Sequence, residues 1–350
     1  MKNIDEILKK TMFYSGTGNP QLYAKVMRAL SEYTGRTIPF QHISYGIHSD
    51  QESNDKFPNY PLIEGKDIIY CQCMETLDLL LESIGHIWAL KKQYLANSVK
   101  GVFTIVKYRR ADGKRPDEVN RLEMVIDLLT HCGLDELMVV TPHSEKMAEY
   151  CHKYGAKFRE IDPSPLFRDF VKVYVPQEKS HLIRIYSPDA GSVPRAIKLA
   201  KLLGCPVLFN LKNRGPNHSV TMVAAEEAEI KAKTKEFQEK YNFSDISYAY
   251  ADSIKGMIIF IVEDEVSTGE TANTAGQLIR KCEPLYLSIL FSHGVLTPGW
   301  REKLFYKEPF DKVGMTDSIF RDNKKRTGGK IHDVFIDSVI AETIYHSLIS

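Results

Sequence analysis

The run Ile258–Ala272, IIFIVEDEVSTGETA, holds the residues best suited to chemistry. Glu263 and Asp264 stand side by side behind five apolar residues, and a small-residue turn, Ser267-Thr268-Gly269, follows. A turn that opens a helix presents backbone N–H groups to a phosphate. Here those groups come from Ser267, Thr268, Gly269, Glu270 and Thr271. Neighbouring carboxylates suit a diol or a Mg²⁺ ion. The combination reads as a sugar-phosphate site, with hydroxyls on Glu263 and Asp264 and the phosphate in the turn. The same residues also read as an ordinary strand-turn-helix with solvated acids.

Such a site needs a strand to deliver the acids and a helix to carry the turn. Ile258–Val262 is short and rich in branched side chains, which predicts a fully buried strand. The acids are expected just past its end, and a helix from Thr271 to about Arg280. In an open parallel sheet, ligands bind beyond the carboxyl ends of the strands. The rest of the chain repeats the alternation of strand and helix. Phe13–Ser15 breaks into the turn Gly16-Thr17-Gly18-Asn19-Pro20, and a helix follows. Strands are expected at 67–72, 101–106 and 137–141, with helices at 75–94 and 117–132 between them. Residues 41–66 are polar and read as a loop or ragged hairpin. A second round holds strands at 183–186, 207–210, 258–262, 285–291 and 333–336, with a helix at 194–203. Residues 222–242 read as a solvated, charged helix and as an insertion. The pattern defines an α/β chain of two doubly wound parallel-sheet domains. The break falls near the Asp162-Pro163-Ser164-Pro165 turn, giving domains 1–163 and 164–350, with the last helix expected to pack back on the first.

Composition sets outer limits. The 350 residues are 43% hydrophobic and 26% charged, with a net charge of +1. That is ordinary globular usage, and neither a polyanion partner nor nucleic-acid binding is expected. The six cysteines are scattered and read as reduced core thiols. Neither a signal peptide nor a membrane span is visible, so the expectation is a cytoplasmic enzyme or binding protein.

Several loops, in order along the chain, resemble those of the phosphoribosyl-pyrophosphate (PRPP) synthetases, the ribose-phosphate pyrophosphokinases. Val262–Thr271 resembles the ribose-phosphate loop shared with type I phosphoribosyltransferases. Phe13–Pro20 is similar to the family's opening strand-turn, and Ile69–Cys73, with Asp78 beyond, to its second strand and following helix. Tyr108–Lys114 resembles its basic ATP-contacting loop, and Val140–Glu145 the strand end whose histidine helps to hold Mg·ATP. Ser187-Pro188-Asp189-Ala190-Gly191 resembles its Ser-Pro-Asp-x-Gly segment, Lys212-Asn213-Arg214-Gly215-Pro216 its catalytic loop, and Ser338–Ile344 its C-terminal helix.

The resemblance implies two type I phosphoribosyltransferase-like domains. It implies transfer of the β,γ-diphosphate of ATP to the C1 hydroxyl of ribose 5-phosphate, with Mg²⁺ as cofactor and AMP released. Lys212 and Arg214 would be catalytic, neutralising charge on the transferred group. Glu263 through Thr271 would hold the ribosyl phosphate. Arg110, Asp112, Lys114, His143, Asp50 and Glu52 would face ATP. His143, Asp189, Glu263 and Asp264 would hold metal or metal-bound water. A homo-oligomer, dimer or hexamer, is implied too.

The chain departs from the family in its loops. Glu263 stands where the synthetases have aspartate, Ser267 where they have aspartate and Glu270 where they have glycine; Glu265 adds an acid at an apolar position. The nearest match to the adenine segment is His48-Ser49-Asp50-Gln51-Glu52, and the catalytic loop lacks one arginine. Three further readings stay open: an acceptor larger than ribose 5-phosphate, such as ADP-ribose; a catalytically silent regulatory member; and a phosphoribosyltransferase.

Overall fold

The computed structural model describes residues 4–50, 52–113, 117–211, 213–214, 220–221, 227–321 and 327–350, with backbone alone at 213–214 and 220–221. They form two units. One holds the described residues up to Asp162 together with Ser318–Phe320 and Ile336–Ser350; the other holds Pro163–Asp317 and Arg321–Phe335.

The first unit opens with α1 (Ile4–Lys10), β1 (Thr11–Ser15) and α2 (Pro20–Thr34). A short edge strand, β2 (Phe40–His42), precedes an antiparallel hairpin of β3 (Ser44–Ile47) and β4 (Ser53–Lys56). This is the ragged hairpin expected between 41 and 66, plus an edge strand too short for any alternation to show. β5 (Asp67–Gln72), α3 (Leu77–Trp88) and β6 (Ser98–Phe103) follow, then α4 (Arg121–Cys132), β7 (Glu136–Val140), α5 (Lys146–Lys153) and β8 (Lys157–Ile161). The six strands are parallel in the order β2-β1-β5-β6-β7-β8. Tyr14, Tyr70, Phe103 and Val139 fill the core on one side of the sheet.

Caps decide where helices begin. The α3 helix starts at Leu77 rather than 75 because the Thr76 hydroxyl accepts from Leu79 N at 3.2 Å. The α4 helix starts at Arg121 rather than 117 because the Asn120 side chain accepts from Glu123 N at 3.1 Å. Both are side-chain oxygens satisfying first-turn amides.

The second unit runs α6 (Ser164–Tyr174), β9 (Ile183–Ser187), α7 (Val193–Leu203) and β10 (Val207–Phe209). A two-residue ladder of β11 (Asn213–Arg214) and β12 (Val220–Thr221) leads to α8 (Glu227–Tyr241), β13 (Ile246–Tyr248) and α9 (Ala251–Ile254). Then come β14 (Ile258–Val266), α10 (Glu270–Arg280), β15 (Tyr286–Gly294), α11 (Trp300–Leu304), β16 (Lys312–Thr316) and β17 (Ile331–Val334). The seven sheet strands are parallel in the order β13-β10-β9-β14-β15-β16-β17. The last helix, α12 (Asp337–Ile349), belongs to the first unit, where Ser347 Oγ donates to Glu136 at 2.7 Å and Lys100 Nζ donates to the Ser347 carbonyl at 2.8 Å.

Two expectations are corrected here. The acids do not follow their strand: β14 continues through Glu263 and Asp264 to Val266, held in register by β15. The α8 helix is not solvated all round, since Phe237 is buried with its ring 5.2 Å from that of Phe209 on β10; residues 222–226 of the expected helix lie outside the described residues.

Candidate functional site

In the second sheet the strand order reverses between β9 and β14. From β9 the chain moves outward to β10 and β13, and from β14 it moves the other way to β15, β16 and β17. Such a switch point opens a crevice at the carboxyl ends of its two central strands. Two expected site segments lie at these ends, Pro188–Ser192 after β9 and the acids of β14.

The loop after β9 is closed by its own hydroxyls. Asp189 Oδ1 accepts from Ser192 N at 3.0 Å and from Ser192 Oγ at 2.9 Å, while Ser187 Oγ donates to the Asp189 carbonyl at 2.7 Å. One carboxylate oxygen of Asp189 therefore shapes the entry to α7.

Because β14 stays extended, its acids alternate across the sheet. Asp264 is buried, and Glu263 and Glu265 are half-buried on the other face. Asp264 Oδ1 accepts from Glu265 N at 2.9 Å. Arg195, in the first turn of α7, brings Nη2 to 3.8 Å from the same oxygen. The Arg195 Nε is buried without a hydrogen-bond partner.

The turn after β14 is tight. Gly269 has φ 81°, and a Cβ there would stand 2.6 Å from Leu304 Cβ and 3.0 Å from the Leu304 backbone, so only glycine fits. Thr268 is exposed, and its hydroxyl accepts from Glu270 N at 3.4 Å. The chain after β15 flanks the turn, with Leu296 N donating to Val266 O and Thr297 N to Ser267 O, each at 3.1 Å. The α10 helix then starts with first-turn amides that have no partner inside the helix. Glu270 and Thr271 are exposed, and the Glu270 carboxylate is turned toward Lys303 Nζ at 3.3 Å.

The first unit treats its own glycine turn differently. Thr17 N donates to Glu82 Oε1 at 2.8 Å and Thr17 Oγ1 to Glu82 Oε2 at 2.5 Å, while Gly18 N donates to Gln72 at 2.7 Å. The Glu82 carboxylate thus takes up the Thr17 amide and hydroxyl of this turn. A Cβ on Gly16 would lie 2.2 Å from Gln72 Nε2. Below this, His86 bridges Tyr70 and the hairpin. Its Nε2 donates to Asp55 Oδ2 at 3.1 Å and its Nδ1 accepts from the Tyr70 hydroxyl at 3.0 Å, one neutral tautomer serving both. Burial pushes the His86 ring down to about 4, against the pull of the Glu82 carboxylate, and burial raises Asp55.

The expected ATP-side residues are spread along this unit. Asp50 and Glu52 are exposed at the tip of the β3–β4 hairpin, where Asp50 Oδ1 accepts from Glu52 N at 3.1 Å. Arg110 is exposed, whereas Asp112 is buried and its carbonyl accepts from Lys146 Nζ at 2.9 Å. Tyr108 lies under the Arg121 guanidinium, 4.9 Å from the ring centre. His143 is half-buried between β7 and α5. Lys212 and Lys114 lie outside the described residues, and of Arg214 only the backbone, in β11, is described. Among the described residues no group of three or more His, Cys, Asp or Glu side chains is arranged to hold a metal.

Sequence reasoning passed over Arg195. A cation in the first turn of a helix opposes the helix dipole. Its place three residues into a run headed by Ser192 and Pro194 was the available signal that an anion must face it. Glu82 carried no such signal, because its partner Thr17 is 65 residues away.

Two doubly wound parallel sheets, one carrying an acid-bearing strand at its switch point, define a phosphoribosyltransferase-like fold. A family model for the phosphoribosyl transferase domain matches residues 180–298. The ribose-phosphate pyrophosphokinase of Neisseria meningitidis is 24% identical over 95% of this chain and 90% of its own length. That of Thermosipho africanus is 27% identical over 91% and 89%. The crystal structure of phosphoribosylpyrophosphate synthetase from Mycobacterium smegmatis superposes with a TM-score of 0.76 at 21% identity, over 97% of this chain and 99% of that one. Over nearly its whole length the chain is similar, at low identity, to ribose-phosphate pyrophosphokinases. Among the described residues no helix is long and apolar enough to cross a membrane.

Proposed function

We propose that the protein is an ATP-dependent diphosphokinase that transfers the β,γ-diphosphate of ATP to the C1 hydroxyl of ribose 5-phosphate, giving PRPP and AMP. The observation that carries this reading is the placement of Glu263 and Asp264 on β14 at the switch point, followed by the turn that opens α10. The reading assigns the ribose hydroxyls to these acids and the 5-phosphate to Ser267–Thr271. Lys212 and Arg214 take the catalytic role, as cations that stabilise charge on the moving group and on the bridging oxygen. Arg110, Asp112, Lys114, His143, Asp50 and Glu52 form the ATP side. Mg²⁺ takes one or two carboxylates together with substrate phosphates and keeps several waters. The carboxylates of Glu263, Asp264 and Asp189 suit that habit, while His143 would reach a metal-bound water, and a bound ion would supply charge neutralisation. A cytoplasmic homo-oligomer completes the reading.

A second acceptor has its own supporting observation. Beside the turn lies a groove of about 640 Å³ lined by two acids, Glu270 and Glu302, by Asn273, Thr274, Gln277 and Leu278, and by Lys281, Lys303, Tyr306 and Lys307. Three lysines and an aromatic ring are the groups that a second phosphate and a base would need, so this groove favours a larger ribosyl phosphate such as ADP-ribose. The test is AMP release from Mg·ATP with each acceptor, wild type beside Lys212→Ala. Release with ribose 5-phosphate alone, lost in the variant, is the expected result. Release with ADP-ribose alone moves the assignment to the larger acceptor. Release with neither leaves the silent regulatory member.

A further inference from the structure

The β3–β4 hairpin stands out from the first unit. Its strand residues are exposed apart from Gly46 and Asp55, which are half-buried. Buried Ile43 and Phe57 fasten its two ends: Ile43 N donates to Ser15 O at 3.0 Å, and the Phe57 ring lies 5.9 Å from that of Tyr14. A two-stranded ribbon held only at its ends has little to fix its angle, since a lone hairpin is marginally stable in water. Among the described residues, Asp55 is the one side chain of the two strands that hydrogen-bonds beyond the hairpin, and its partner is His86 on α3.

His86 is 2% exposed and stands near the end of a polar chain that runs through the core of the unit. Gly18 N donates to Gln72 Oε1 at 2.7 Å, Gln72 Nε2 to the Tyr70 hydroxyl at 3.4 Å, that hydroxyl to His86 Nδ1 at 3.0 Å, and His86 Nε2 to Asp55 Oδ2 at 3.1 Å. Every link donates in the same direction, from the β1 turn to the hairpin, so each bond polarises the next. The ring is set edge-on against Phe57 and Tyr70, with centroids 5.2 and 5.6 Å away. An apolar pair at 55 and 86 would fill the same space at lower cost, because buried polar groups must be desolvated. What a directional bond adds is position. It holds Asp55 at one distance and one angle, where apolar contact has no preferred direction.

We infer that His86 is a positioning residue for the nucleotide: through Asp55 it sets the angle of the hairpin, and so the place of Asp50 and Glu52 at its tip. Glu52 is three residues from Asp55, about 10 Å along an extended strand, so a small rotation at Asp55 is magnified at the tip. Buried as it is, His86 acts on the hairpin only through Asp55. This rests on the assignment of Asp50 and Glu52 to ATP made above, and it adds to that assignment the device that aims them.

The experiment is calorimetric titration of wild type, His86→Gln and the double variant His86→Leu with Asp55→Leu. Each is titrated with Mg²⁺ and α,β-methylene ATP, and separately with ribose 5-phosphate and with ADP-ribose. The analogue cannot release its β,γ-diphosphate, so the readout needs no turnover. Leucine at both sites removes the two polar partners together, which is close to neutral for folding, and unchanged circular dichroism is expected. The double variant should bind the analogue roughly tenfold more weakly, the loss of one hydrogen bond to a charged group. Affinity for the acceptor that wild type binds should stay within about twofold, and so should that of His86→Gln for the analogue, since its amide both donates and accepts. Equal affinity of wild type and the double variant for the analogue overturns the inference. A matching loss for the acceptor overturns it too, because a merely structural role moves both ligands. Wild type that binds no analogue overturns it as well. The tenfold difference in a wild type that releases no AMP from Mg·ATP with either acceptor unseats the diphosphokinase reading and supports the positioning role.

Discussion

Arg195 Nη2 lies 3.8 Å from Asp264 Oδ1, joining the first turn of α7 to the buried acid of β14 across the point where the strand order reverses. Both side chains are largely withdrawn from water, at 15% and 10% exposed. At that depth the guanidinium keeps the carboxylate from standing as a lone buried charge.

The contact predicts a split in kinetics. Arg195→Met should raise the KM for the ribosyl phosphate roughly 30- to 100-fold, the size expected when a charge-assisted contact is lost. The KM for ATP should stay within about twofold, and Arg195→Lys should recover part of the loss. Steady-state AMP release with each substrate varied in turn checks this. Equal changes in both KM values would make Arg195 structural only.

The Tyr70–His86–Asp55 bridge predicts a pH dependence of stability. The folded value for His86, about 4, lies below the ordinary value of 6.5. Between those values the unfolded chain binds a proton that the folded chain does not. Stability therefore falls as pH falls through this window and is flat in this respect above it. Thermal melts from pH 4.5 to 7.5 should rise with pH in the wild type and rise less in His86→Gln. Parallel curves for the two would count against the bridge.

Glu136 predicts how the C-terminal helix is held. Its carboxylate accepts from Arg159 Nε at 2.9 Å and Ser347 Oγ at 2.7 Å, with Lys100 Nζ at 3.6 Å. Burial works to raise it, but these bonds and charges outweigh burial and leave it below the usual carboxylate value. Glu136→Ala should cost roughly 3 kcal/mol, because two cations lose their buried partner. Hydrogen exchange should find the amides of α12 deprotected ahead of those of β14. Uniform deprotection of both would show that the cluster does not act on α12.

The apolar strands were readable because burial on both faces writes itself as a local run, as in Asp67–Gln72, where expected and observed ends agree. Strands with little such run were missed. Lys157–Ile161 is an edge strand whose apolar residues, Phe158 and Ile161, are separated by Arg159 and Glu160, and Ile246–Tyr248 has only three residues. The site's local geometry was readable where neighbours in sequence act together, as in the turn Ser267–Thr271. It was unreadable where sheet order brings distant residues into contact. Arg195 meets Asp264 only because β9 and β14 are adjacent, and Glu82 fills the Thr17 turn only because β1 lies beside β5. The exposed sequence of the basic segment likewise hid the burial of Asp112, which depends on α5 supplying Lys146.

The partner that Glu136 needs, Ser347, comes 211 residues later, after the whole second unit has been spelled out. Domains generally fold in the order in which they leave the ribosome. Here that order is inverted at the finish. The unit translated first must wait with a charged cleft unfilled while its successor is made, and it closes only when the final helix emerges. A ribosome that stalls inside the second unit therefore leaves the first one unfinished, however long ago its strands were made.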